Sequence, residues 1–122
     1  MAPDHRQSLG KLGEDIACDE LTRRGYEILA LRYRTRLGEI DIIARHDGVI
    51  VFVEVKARVT NKFGGAAAAV TGAKQRRIGR MALEYLSRNR LFDRPCRFDV
   101  VALDFEGDRP RVEVYTHAFG VH

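Results

Sequence analysis

Between residues 38 and 56 apolar and polar positions alternate in two runs that meet at Asp47-Gly48. Alternation of this kind belongs to paired strands, and Asp-Gly suits the positive φ angles of a tight type I′ turn, so the stretch predicts a β-hairpin. In its second arm Val49, Val51, Val53 and Val55 share one face, while Ile50 and Phe52 begin the other. A strand apolar on both faces for most of its length belongs in the middle of a sheet that is covered on both sides. Residues 26–34 read as an earlier strand followed by a short basic turn, which gives an antiparallel meander of three strands. Helical spacing governs two other segments. Ser8 is the expected N-cap of a helix reaching about residue 24 and closed by Gly25, with Leu9, Leu12, Ile16, Ala17 and Leu21 in one arc that Glu20 interrupts. Thr71 is the expected cap of a second helix reaching about residue 89, with a core stripe of Ile78, Met81, Ala82, Tyr85 and Leu86. Residues 97–104 and 111–117 read as two final strands. The expected architecture is α/β, a central mixed sheet flanked by two main helices, with residues 1–7 as a flexible N-terminus and residues 8–122 as a single domain.

The charges on the hairpin change the picture. With Asp47-Gly48 as the turn, antiparallel partners have numbers summing to 95, so Asp41 faces Glu54 and Glu39 faces Lys56. All four side chains are then expected on one side of the sheet. Opposed carboxylates destabilise a strand pair unless a positive charge lies between them, and Lys56 or a bound divalent cation could supply it. A solvated amphipathic face is the plain alternative. The two-sided apolar strand argues against it, because charges at the end of a covered strand are partly buried and need a partner.

Composition adds little. The 122 residues are 45% hydrophobic and 31% charged, with a formal net charge of +4. No apolar run approaches membrane-spanning length and no signal-peptide core is evident, so a cytoplasmic location is expected. Cys18 and Cys96 stand apart, in no metal-binding or disulfide spacing. The four histidines have no triad or ligand spacing, and Gly64-Gly65 lacks the ending of a phosphate-cradling loop. Asp99, inside an apolar strand, suits a structural hydrogen bond as well as catalysis. The second helix carries Lys74, Arg76, Arg77, Arg80 and Arg88 against Glu84 alone, with Arg90 just beyond, and this is the chain's best nucleic-acid footprint. Arg32, Arg34 and Arg36 cluster before the acidic strand, where they could meet phosphates or balance carboxylates.

The spacing Asp41-x12-Glu54-x-Lys56 resembles the PD-(D/E)XK signature of restriction-endonuclease-like nucleases. A wider set of residues is similar to the bacterial YraN family: Gly13-Glu14, Gly25-Tyr26, Gly38-Glu39-Ile40-Asp41, Phe52-Val53-Glu54-Val55-Lys56, Phe63-Gly64, Val70-Thr71, Lys74, Tyr85-Leu86 and Arg97-Phe98-Asp99. That family is placed in the restriction-endonuclease-like superfamily, near archaeal Holliday-junction resolvases. The resemblance implies the fold of that superfamily, with Asp41, Glu54 and the Val55 carbonyl as ligands of Mg²⁺ or Mn²⁺. It further implies Lys56 as the catalytic lysine and Glu14 as the acid of the first helix. The chain departs from the family pattern at Arg32, at Glu20 and in the alanines after Phe63-Gly64, none of which removes a proposed ligand.

The expected activity is a divalent-metal-dependent nuclease cleaving phosphodiester bonds of DNA, branched or otherwise structured. Asp41, Glu54, Lys56, Glu14 and Glu39 are its candidate catalytic residues, with Arg34, Arg36, Lys74, Gln75 and Arg77 as candidate nucleic-acid contacts. A resolvase-like role would favour a homodimer. The alternative is a non-catalytic nucleic-acid-binding module on the same fold, and a third option is a protein-interaction domain whose basic helix meets an acidic partner.

Overall fold

The protein is seen here as a computed structural model, in which residues 5–58, 70–105 and 109–120 are described. In chain order its elements are α1 (His5–Arg23), β1 (Glu27–Thr35), β2 (Gly38–His46), β3 (Val49–Arg58), α2 (Gly72–Arg88), β4 (Cys96–Asp104) and β5 (Arg111–Phe119). Among the described residues one five-stranded sheet has the spatial order β1-β2-β3-β4-β5, and only its β3–β4 pair is parallel. The α/β architecture and the mixed sheet with its three-strand meander are as the pattern predicts. The single parallel pair follows from the crossover through α2, since parallel neighbours need a long connection. The small-residue segment ahead of Thr71 and part of the turn after Phe105 lie outside the described residues.

The hairpin turn forms where the sequence places it. Asp47 and Gly48 both take positive φ, 50° and 79°, as a type I′ turn requires. The ladder it sets runs from His46↔Val49 to Ile42↔Val53. These pairs keep the predicted sum of 95.

Each face of the sheet carries its own core. On one side α2 buries Ile78, Met81, Ala82, Tyr85 and Leu86 against Ile40, Ile43, Ile50, Phe52, Phe98 and Val100. On the other, Ala17 and Leu21 of α1 cover Ile42, Ala44, Val51, Val53, Val101 and Leu103. β3 is thus covered on both faces, as its double apolar pattern requires. Thr71 caps α2, its hydroxyl accepting from Lys74 N at 3.2 Å. The α1 expectations need two corrections. The helix begins at His5, so Ser8 lies inside it and residues 5–7 belong to the helix rather than a flexible end; Arg6 and Gln7 are good helix formers. Leu12 is 49% exposed and lies off the core stripe. Glu20 has its account in ion pairs with Arg23 and Arg24. Gly13 lets α1 approach closely, since a Cβ there would meet the Leu103 Cδ1 at 3.1 Å. That approach sets the neighbouring Glu14 against the end of β3.

In β4, beside Val53, Asp99 is fully buried and fully used. It accepts from Tyr26 Oη at 2.9 Å, from Arg97 Nε at 3.1 Å and from the His117 backbone N–H at 3.1 Å. Arg97 also donates to Tyr26 Oη and contacts His46 Nδ1 at 3.0 Å, while the Tyr26 and His46 rings stack at 4.1 Å. Of the two roles open to Asp99, this is the structural one, joining the end of α1 to β2, β4 and β5. Asp99→Ala should destabilise the fold by about 3–5 kcal/mol, because it strands the poorly exposed Arg97 guanidinium without a counter-charge. Tyr26→Phe, removing one hydroxyl bonded to two charged groups, should cost about 1.5–3 kcal/mol, and urea unfolding of the two variants measures the difference.

Candidate active site

The β2–β3 ladder stops after Ile42↔Val53, one step short of Asp41 and Glu54. Beyond that point the Asp41 carboxylate takes the place of a backbone acceptor, receiving the Val55 N–H at Oδ2 over 2.8 Å. In an extended strand the N–H and C=O of one residue point the same way, so the Val55 carbonyl faces this gap as well. Regular alternation along β2 breaks here. Ile40 and Ile43 pack on the α2 side, whereas Ile42 and Ala44 pack on the α1 side. Had alternation held, Ile40 would share the face of Ile42. Asp41 stands at that slip, and the expectation of four charged side chains on one regular face does not hold.

Glu54 lies on the α2 side and is 6% exposed. Its Oε1 accepts from Lys74 of the first turn of α2 and lies 3.7 Å from the Lys56 ammonium. Glu39 faces Arg34 rather than Lys56: it is the β1 ladder partner of Arg34 and ion-pairs with it at 3.4 Å. Lys56 instead neighbours Ala102 of the parallel strand β4. An open cleft of about 700 Å³ runs past the gap, lined by Lys11, Glu14, Arg32, Glu39, Asp41 and Lys56 among others. Four of the five expected catalytic side chains, Asp41, Lys56, Glu14 and Glu39, line this cleft, while Glu54 is buried and lies against Lys56.

Electrostatics mark the gap as unusual. Burial, and next the charge of Glu54, push the Asp41 carboxyl up to about 7, against the opposing pull of the Val55 N–H and Lys74. Burial and contact with Lys74 lower the Lys56 amine, outweighing the two carboxylates. Lys74 is also penalised by burial, yet its hydrogen bond to Glu54 raises it. Lys74 thus keeps its proton the more firmly, and Lys56 is the amine that releases one more easily.

The cationic residues sort differently from expectation. Arg32, with a left-handed φ of 51°, donates to Glu14 Oε2 at 2.9 Å and lines the cleft. Non-glycine residues seldom hold that conformation, and here it accompanies a side chain tied to the first helix. Arg34 is exposed beside Glu39, and Arg36 is exposed. Gln75 bonds the Val70 carbonyl at 2.9 Å and so tightens the entry to α2. Lys74 points inward at Glu54. Arg77, one turn along, is exposed, while Arg76 and Arg80 border a separate, mostly apolar groove with Leu83, Leu86, Cys96 and Phe98. Lys11 was not among the expected site residues. A lone lysine in the first helix carries no signal until Gly13 brings that helix onto the sheet.

A family model described as Uncharacterised protein family UPF0102 matches residues 13–103. The chain belongs to that family. It is the YraN family that the motif residues resemble. A UPF0102 protein of Geobacter metallireducens is 45% identical over 115 residues, covering 94% of both chains. One from Alkalilimnicola ehrlichii is 47% identical over 119 residues, covering 97% of this chain and 91% of the relative. One from Syntrophus aciditrophicus is 48% identical over 110 residues, 90% of this chain and 87% of the relative. The family model runs from within α1 to β4, and the relatives align over most of the chain.

Among the described residues no group of three or more His, Cys, Asp or Glu is gathered to hold a metal ion. The donors at the gap are instead two carboxylates and a backbone carbonyl. Hard oxygens in that number suit Mg²⁺ or Mn²⁺, which keep several waters and need only one or two carboxylates from a protein. The raised Asp41 carboxyl has a consequence for stability. Native Asp41 holds its proton to about pH 7, whereas its unfolded value is 3.8. The native state binds more protons across that interval, so this group's contribution to stability falls as pH rises from about 4 to about 7. Asp41→Asn, which retains an acceptor for the Val55 N–H, should raise stability by about 1–3 kcal/mol at pH 8. The gain should vanish near pH 4, and denaturant unfolding in EDTA at the two pH values tests this.

Proposed function

We propose that this UPF0102 domain is a divalent-metal-dependent phosphodiesterase acting on nucleic acid, DNA in the first instance, with a restriction-endonuclease-like arrangement of its site. The observation that carries this is the pair Asp41–Glu54 at an opened strand gap, with Lys56 beside it in an accessible cleft. Buried like charges are costly to a fold, and their retention beside a cavity suits a task that needs concentrated negative charge. Asp41, Glu54 and the Val55 carbonyl would hold Mg²⁺ or Mn²⁺. When bound, the ion would supply Lewis-acid stabilisation of phosphate charge and a more acidic water.

The remaining roles fall to the chain's own groups. Lys56, with its proton loosened by burial and by Lys74, is suited to orient a water molecule and exchange a proton with it. Arg32 holds Glu14 in place at the cleft wall, and Arg34 does the same for Glu39. These two glutamates therefore act at the edge of the site, neutralised by their arginines until a substrate phosphate competes for the guanidinium groups. Lys11 and Arg32 supply positive charge within the cleft, and Arg77 extends it along α2. A phosphodiester backbone entering the cleft would meet these cations before reaching Asp41 and Glu54. The branched or otherwise structured DNA preferred by a resolvase-like enzyme is the substrate class to test first.

The protein with Mn²⁺ should cleave at least one member of a panel of duplex, single-stranded and four-way-junction DNA. Lys56→Ala and Glu54→Gln should each lower the rate by about 100-fold or more, measured by gel electrophoresis of end-labelled substrate. Salt-sensitive binding without cleavage, unaltered by Lys56→Ala, would establish the non-catalytic binding module instead. Arg77→Glu should weaken binding similarly for all sequences and reduce the slope of log affinity against log salt by about one unit.

A further inference from the structure

The Glu54 carboxylate is contacted by two ammonium groups at once. Lys74 donates to Oε1, and Lys56 lies 3.7 Å from the same oxygen. With Asp41 beside them, two carboxyl groups and two lysines make a compact cluster whose formal charges cancel once Asp41 is ionised. A divalent cation entering at Asp41 and Glu54 would leave that half-buried cluster with two excess positive charges if both lysines stayed. Uncompensated charge away from water is expensive, so withdrawal of one ammonium would relieve half of that excess.

The fold favours withdrawal of Lys74. Lys56 sits within β3, two residues from Glu54, and its position is set by the ladder to β4. Lys74 reaches Glu54 from a different element, with a side chain about as exposed as that of Lys56. The backbone beneath it is pinned, by the Thr71 cap on its N–H and by Gln75 bonded to Val70. Its four-carbon stem can nonetheless rotate outward with no movement of the helix. Arg77 follows three residues later, about 60° around the helix, so the released ammonium would join an exposed cation on the same side.

We infer that Lys74 is a displaceable counter-cation, holding Glu54 when no divalent ion is bound and swinging out beside Arg77 to meet a phosphate when one binds. The inference rests on Asp41 and Glu54 being a divalent-cation site. It makes metal and polyanion binding mutually reinforcing, since each favours the state with Lys74 turned outward, and such coupling is reciprocal. It also alters the role of Lys74, which serves the site's charge balance as well as substrate contact.

The test is titration calorimetry of Mn²⁺ into the full chain and into Lys74→Met, which keeps an unbranched apolar stem. Without nucleic acid, Lys74→Met should bind Mn²⁺ about tenfold more tightly than the unsubstituted protein. Its affinity for a DNA oligonucleotide should also lose the enhancement that Ca²⁺ gives the unsubstituted protein. Equal or weaker Mn²⁺ binding by Lys74→Met overturns the inference, as does absence of binding by both proteins. Should Lys74→Met fail to fold without metal, nitrogen-15 resonances of lysine side chains in the unsubstituted protein provide the second measurement. The Lys74 signal should change from slow to fast exchange with solvent on adding Mg²⁺, and an unchanged signal overturns the inference. Absence of cleavage together with the tenfold gain in Mn²⁺ affinity would sink the nuclease activity while sustaining the counter-cation role.

Discussion

The hydrogen bond from the Val55 N–H to the Asp41 carboxylate is the constraint on which the candidate site depends. A backbone N–H withdrawn from water must find an acceptor, and a continuing β2 strand would ordinarily provide one. Here the ladder ends at Ile42↔Val53 and a side-chain oxygen takes over. The strands can therefore part without stranding the donor. Parting them is what opens the cleft, turns the Val55 carbonyl toward it, and holds Asp41 close to Glu54. An apolar residue at position 41 would leave no such acceptor in the gap.

Once two carboxylates are held there, much of the surrounding arrangement can be understood as charge compensation. Lys74 and Lys56 answer Glu54 from α2 and from β3, while Arg32 and Arg34 answer Glu14 and Glu39. These inner and outer pairs differ in kind. Glu54 is buried and its partners are partly buried, whereas Arg34 is largely exposed and its ion pair contributes little to stability. The inner group is where an arriving cation would have the greatest effect. Around Asp99, in the neighbouring strand β4, similar residue types serve another purpose. Its carboxylate is saturated by a tyrosine, an arginine and a backbone N–H, and it joins elements together. A buried carboxylate alone therefore does not mark a site. What separates Asp41 from Asp99 is a second acid close by and a cavity beside it.

Membership of UPF0102, with relatives that match along nearly the whole chain, ties these features to a domain type rather than to an isolated sequence. Within that domain the basic helix α2 is less uniform than its composition suggests. Lys74 turns inward to Glu54, Gln75 ties the helix entry, Arg77 faces outward, and Arg76 and Arg80 border an apolar groove. A helix advances about 100° per residue, so neighbouring cations in sequence serve different surfaces.

The sequence by itself determined the types and order of the elements, the turn, and the hairpin register as far as Ile42↔Val53. Period-two and period-3.6 patterns are local consequences of which side of a strand or helix meets the core, and Asp47-Gly48 sets the hairpin through its own backbone preferences. From these followed the three-strand meander, the central place of β3 and the approach of Asp41 to Glu54. Tertiary structure alone decided where the regular pattern breaks and which charge meets which. The slip at Asp41, the pairing of Glu39 with Arg34, the inward turn of Lys74 and the capture of Glu14 by Arg32 all join groups from different elements. Long charged side chains have many rotamers and no periodic signature, so their partners are chosen by burial and by the net charge of the finished cavity. The hairpin could be read from its residues, whereas its opening at Asp41 required the packing of both helices against the sheet.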